Sequence, residues 1–94
     1  MRSQSVYKVP RGKLLKISID YNEKNNRIND IRITGDFFMY PEEAIELMEK
    51  KLKNSLLEKD HLFEKIHSII RECNIQCIGV DAEGLADAIV MCKP

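Results

Sequence analysis

The residues best suited to chemistry are the cysteines and histidines. Cys73 and Cys77 stand at C-x3-C spacing, with Cys92 the one further thiol. A zinc or iron–sulfur site needs about four convergent ligands, and no second cysteine pair follows. His61 and His67 are six residues apart, which points them to different sides of one helix. Cys73 and Cys92 fall on apolar helical faces, where an unpaired cysteine behaves as a small core residue. No metal ligand set is therefore assigned. A sulfur-transfer or iron–sulfur scaffold working through Cys73 and Cys77 is kept as the alternative function. An odd count of cysteines fits a reducing compartment in which all three stay thiols.

No nucleophilic triad can be assembled. The serines lack a Gly-x-Ser-x-Gly context, and neither a Walker loop nor Gly-x-Gly-x-x-Gly occurs. Asp36, directly after Gly35, is a candidate catalytic carboxylate, although an aspartate there more commonly caps a turn or helix. The N-terminal cations are the remaining chemical feature. Arg2, Lys8, Arg11, Lys13 and Lys16 all precede the first acid, Asp20. Two readings of this run stay open. Lysines on an edge strand block edge-to-edge pairing, whereas Lys8, Arg11 and Lys13 around a Pro10-Arg11-Gly12 turn could meet an anion such as a phosphate.

The elements that position these residues follow from periodicity. Met1–Ser5 is polar and is expected to fray, and Val6–Val9 to form a short strand or arm. In Lys13–Tyr21, Leu15, Ile17, Ile19 and Tyr21 share one face and Lys16, Ser18 and Asp20 the other, the alternation of a half-buried strand. Asn22–Asn26 is a turn-rich connection to a return strand, Arg27–Thr34. There Ile31 and Ile33 agree in phase and Ile28 does not, which a bulge near Asn29-Asp30 would reconcile. A first helix is predicted from about Pro41 to Lys53, with Ala44, Ile45, Met48 and Leu52 on its apolar face. A second runs from about Glu58 to Cys73, with Leu62, Phe63, Ile66, Ile69, Ile70 and Cys73 inward and Asn74 as its stop. Ile75–Gly79 reads as a linker or brief strand. Asp81 caps a third helix whose buried face is Leu85, Ala88, Ile89 and Cys92.

Strand and helix meet at Arg32–Glu43. Gly35 frees the backbone, Pro41 suits a first helical turn, and Phe37, Phe38 and Tyr40 supply three of the six aromatic residues. So apolar a junction either plugs the core or meets a partner. Strands first and helices after predict an α+β domain: a small antiparallel sheet of two to three strands, then about three helices packed on one face.

Composition narrows the function. Ninety-four residues make a single domain, able to bury roughly 60–70% of its unfolded surface. Fifteen acidic and fifteen basic residues cancel, so no global field draws in nucleic acid or an anionic membrane. No apolar run reaches the ~20 residues that span a bilayer. The N-terminus lacks the apolar stretch of a signal peptide, so a cytoplasmic location is expected.

Three segments together resemble a known family: Lys8-Val-Pro-Arg-Gly-Lys-Leu14, Arg27-Ile-Asn-Asp-Ile-Arg-Ile-Thr-Gly-Asp-Phe-Phe38 and Pro41-Glu-Glu-Ala-Ile45. Their order and spacing are similar to the C-terminal accessory domain of lipoate–protein ligases. In that family Lys-x-Pro-Gly-Gly-Lys-Leu leads into a strand, and a second strand ends in Gly-Asp-Phe-Phe before a Pro-Glu-Glu helix. Ile78–Ile89 resembles the family's closing helix, so the likeness spans about residues 7–90. Arg11 is a departure, standing where the family has the first glycine of Pro-Gly-Gly.

The resemblance implies a fold like that of the sulfur and iron–sulfur scaffold proteins, although their cysteine motifs are missing here. It also implies a non-catalytic subunit, of the kind that some members, notably in archaea, encode as a separate polypeptide. Its partner would be a catalytic subunit that binds ATP, Mg2+ and lipoate, forms lipoyl-adenylate and passes the lipoyl group to a lysine of an acceptor domain. Lys8, Arg11, Gly12 and Lys13 are then the groups expected near the partner or its nucleotide. Gly35, Asp36, Phe37, Phe38 and Tyr40 form the expected structural junction or subunit contact. Neither nucleic acid nor membrane is an expected partner.

Overall fold

The computed structural model describes residues 1–8 and 13–92. Alternating aliphatic residues generate its central layer, an antiparallel sheet of β1 (Arg2–Lys8), β2 (Leu14–Asn22) and β3 (Arg27–Gly35) in the order β1-β2-β3. Leu15, Ile17, Ile19 and Tyr21 of β2 are all buried on one face. Asp20 opposes Asp30 and Tyr21 opposes Ile28, which leaves Asn29 as an extra residue. This is the anticipated bulge, and it lets both Ile28 and Ile31 reach the core.

The N-terminus departs from the fraying expected of Met1–Ser5. β1 begins at Arg2 and pairs with β2 along its whole length, from Arg2 opposite Asp20 to Lys8 opposite Leu14. The terminal ammonium donates to the Tyr21 carbonyl at 2.8 Å. Inward-facing positions of β1 carry serines where a strand ordinarily shows aliphatic residues. The Ser3 hydroxyl donates to the Cys92 carbonyl, and the Ser5 hydroxyl to the Ala88 carbonyl at 2.7 Å. These bonds satisfy carbonyls at the end of the closing helix that its own turns leave free.

Three helices cover the inner face: α1 (Ala44–Leu52), α2 (Lys59–Glu72) and α3 (Ala82–Val90). α1 starts later than predicted, because Pro41–Glu43 forms a turn closed by the Ala44 N–H on the Pro41 carbonyl at 2.9 Å. Ala44, Met48 and Leu52 face the core. The Glu49 carboxylate accepts from the Ile33 N–H at 2.7 Å, covering a donor on the free edge of β3. Asn54 at φ 66° turns the chain out of α1. The connector then pairs with the start of β3, where Ile28 donates to Ser55 and accepts from Asn54.

α2 matches its predicted span to within a residue at each end, and Asn74, at φ 54°, turns the chain just beyond it. Phe63 is the exception to its predicted face: it is partly exposed and lies beside the ring of His67, with centroids 6.0 Å apart. α3 is capped by Asp81, whose carboxylate accepts from the Gly84 N–H at 2.7 Å. Its buried Leu85, Ala88, Ile89 and following Cys92 are the four residues predicted. The Lys59 ammonium ties the start of α2 to Asp87 of α3 at 2.9 Å. Beyond the main sheet, β4 (Phe38–Tyr40) and β5 (Gln76–Ile78) form a separate antiparallel ribbon. The fold is therefore α+β as expected, with this ribbon added to the three-stranded sheet.

Candidate functional site: an aromatic ribbon beside a lysine

The ribbon arises from the junction itself. After Gly35 the chain alternates, with Phe37 and Met39 buried and Phe38 and Tyr40 turned outward. Phe37 and Met39 plug the core and fix the ribbon to the body. Phe38 is 64% exposed and Tyr40 51%. β5 supplies the facing side: Phe38 opposes Ile78, and Tyr40 opposes Gln76. Ile78 is 46% exposed, so three large side chains form one apolar row in water. Solvated rows of this kind mark interaction surfaces more often than isolated exposed residues do.

Gly35 and Gly79 bring the row against the sheet. Gly35 has φ 152°, and a Cβ there would collide with the Leu14 carbonyl oxygen and crowd Phe37. That close approach lets the Asp36 N–H donate to the Leu14 carbonyl at 2.9 Å. Gly79 has φ 89°, and its vacant Cβ position lies 3.4 Å from the Lys13 side chain and 3.5 Å from Phe37. Lys13 is exposed, so its ammonium projects beside the ribbon.

Of the predicted cations, Lys8 ends β1 as an exposed residue and Lys13 flanks the ribbon. Arg11 and Gly12 lie outside the described residues. Asp36 is exposed, and its carboxylate caps no turn or helix among the described residues. The expected capping role is thus corrected: the backbone of Asp36, and not its side chain, makes the junction's hydrogen bond. The apolar group divides into a buried plug, Phe37, and outward Phe38 and Tyr40. Ile78 was missed, because a strand of three residues in an apolar stretch gives too short an alternation to reveal its outward face.

The thiols do not converge. Cys73 ends α2, Cys77 lies in β5 and Cys92 follows α3. Among the described residues no group of three or more His, Cys, Asp or Glu side chains gathers to hold a metal ion. Burial, reinforced by the charge of Asp81, pushes the Cys77 thiol up. Burial likewise pushes up Cys92, with the Ser5 hydroxyl opposing it. A reactive sulfur carrier needs the reverse shift. A shallow depression lined by Met1, Tyr21, Asn22, Glu23, Lys24 and Asn29 lies at the hairpin end of the sheet, at the opposite end of β2 from Lys13. No helix among the described residues is long and apolar enough to cross a membrane.

Comparison with known proteins agrees with this geometry. Residues 8–89 match the family described as the bacterial lipoate protein ligase C-terminus. The chain is 37% identical over 86 residues to lipoate-protein ligase A subunit 2 of Thermoplasma acidophilum, covering 88% of this chain and 82% of that protein. It also superposes on a chain of the bipartite lipoate protein ligase solved from that organism, with a TM-score of 0.79 and 31% identity. That match covers 95% of this chain and 94% of the other. With the Gly-Asp-Phe-Phe junction, the sheet and the helical layer all inside the matched span, the chain belongs to the lipoate protein ligase C-terminal family.

Proposed function

We propose that this chain is the accessory subunit of a two-subunit lipoate–protein ligase. It binds a catalytic subunit that holds ATP, Mg2+ and lipoate, and it permits formation of lipoyl-adenylate, from which the lipoyl group passes to a lysine of an acceptor domain. The carrying observation is the match along most of both chains to a protein that is itself a ligase subunit. The site agrees with that role. Its contribution is an apolar docking row and an adjacent cation, which organise a neighbour and supply no nucleophile. Phe38, Tyr40 and Ile78 are large, pre-ordered by the ribbon and exposed to water, the type of residue that anchors an interface once a partner covers it. Lys13 beside them is the group placed to meet a phosphate or a carboxylate of the partner.

The test mixes this chain with the catalytic subunit from the same source, supplies lipoate, ATP and magnesium, and follows lipoyl-adenylate with and without it. Adenylate is expected only in the mixture, together with co-elution of the two chains. Catalysis by the large chain alone at the same rate, without co-elution, would remove the proposal. Phe38→Ser with Tyr40→Ser is expected to weaken the complex by more than tenfold, the loss of two interface anchors. Thermal unfolding of the isolated variant should stay near wild type, since both side chains are already in water.

A further inference from the structure

The outer face of the main sheet carries a second surface, distinct from the ribbon. No described helix or strand packs on it. Register places its residues in rows across the three strands: Val6, Lys16 and Thr34, then Gln4, Ser18 and Arg32, with Lys8 at one corner and Arg2 at the other end of β1. Lys16, Arg32, Arg2 and Lys8 are all exposed. None has a carboxylate within ion-pairing distance among the described residues. The two acids on this face are already engaged, Asp20 by the terminal ammonium at 3.3 Å and Asp30 by Lys53 at 3.7 Å. The free charge of the face is therefore positive.

The whole chain is segregated in the same sense. Up to Gly35 it carries eight Lys and Arg against three Asp and Glu; beyond Gly35 seven face twelve. Net neutrality thus conceals a cationic sheet layer on an anionic helical layer. The cations span about 20 Å of β1, at roughly 3.3 Å per residue. That footprint belongs with small, transient contacts and not with permanent subunit interfaces. None of the six aromatic residues lies on the face, which removes the stacking platform a single-stranded nucleic acid would use.

We propose that this open face steers the acceptor protein, the domain whose lysine receives the lipoyl group, through a carboxylate-rich surface around that lysine. The inference rests on the accessory-subunit reading above. In that reading two partners are needed. The apolar row suits the one that stays, and the charged, flat face suits the one that comes and goes. Charge complementarity of this kind acts mainly on encounter rate and is weakened by salt.

The experiment compares the reconstituted ligase containing wild-type chain with one containing Lys16→Glu and Arg32→Glu, using the unlipoylated acceptor domain from the same source. Both side chains are exposed, and a Lys16→Gln, Arg32→Gln variant separates loss of charge from its reversal. Expected is a fall in kcat/KM for the acceptor of about tenfold at low salt, the order of an electrostatic steering effect. The Gln variant should lie between, and wild type should approach the Glu variant as salt rises. Lipoyl-adenylate formation and co-elution should be unchanged. Unchanged acceptor kcat/KM with intact adenylation would overturn the inference and leave the accessory role standing. Loss of adenylation or co-elution would reassign the face to the catalytic subunit and equally overturn it. Charge-dependent binding of single-stranded RNA, at unchanged acceptor kinetics, would do the same in favour of nucleic acid.

Discussion

A Cβ at position 35 would run into the Leu14 carbonyl oxygen, so a single atom decides whether the junction can form. Glycine is needed here for the close approach of two backbones as well as for its φ of 152°. Gly35→Ala is expected to destabilise the chain by about 2 kcal/mol or more, the strain of the dihedral plus the displacement of β2. Urea unfolding measures it, and a midpoint equal to wild type would refute the close approach. The importance of Gly35 was readable in the sequence, because a glycine between a strand and an aromatic cluster marks a backbone constraint. The role of Glu49 was not. A carboxylate on the polar side of a helical pattern looks solvated, and only the placement of α1 along β3 turns it onto the Ile33 N–H.

Among the elements, β1 shows why strand prediction falters where a strand packs against a helix end. Its inward residues Ser3 and Ser5 are polar, so period-two hydrophobicity is missing. Their hydroxyls do the work that aliphatic burial does elsewhere. The Cys92 N–H turns to Ile89, and the Ala88 carbonyl takes its hydrogen bond from Ser5. Ser3→Ala with Ser5→Ala is therefore expected to cost about 2 kcal/mol, at roughly 1 kcal/mol for each lost bond. Hydrogen exchange should show the loss first in β1 and the last turn of α3. Exchange in those segments unchanged from wild type would mean that the serines only fill space. The longer elements were readable, because β2, β3, α2 and α3 each carry several aliphatic residues in one phase. A brief strand within Ile75–Gly79 was one of two readings, but its pairing was not readable, since the ribbon's two strands are three residues each and their partners lie 36 to 40 positions apart. For the site, this means that Phe38, Tyr40 and Lys13 could be named in advance, while their assembly with Ile78 depends on contacts distant in sequence.

For the whole molecule, the resolved shifts in acidity all run one way. Burial holds the Cys77 and Cys92 thiols above the ordinary 9.0. A hydrogen bond and the charge of Asp87 hold the exposed Lys59 above its ordinary 10.5. In each case the folded chain retains its proton at a pH where the unfolded chain releases it. The unfolded state then binds fewer protons, and stability falls with rising pH. The contribution is complete below the unfolded values and is lost as pH climbs through the folded ones. Urea midpoints are accordingly expected to be unaffected by these groups up to about pH 8, the foot of the thiol titration, and to decline from about pH 9 upward. Cys77→Ser with Cys92→Ala should flatten the thiol part of that decline, whatever the variant's stability at pH 7, because the test compares slopes. A wild-type midpoint that rises between pH 8 and pH 10 would contradict the burial of both thiols. The same property bears on function. Cys77 and Cys92, whose thiols resist ionisation, are poorly suited to accept or donate sulfur, which disfavours a sulfur-carrier role for them.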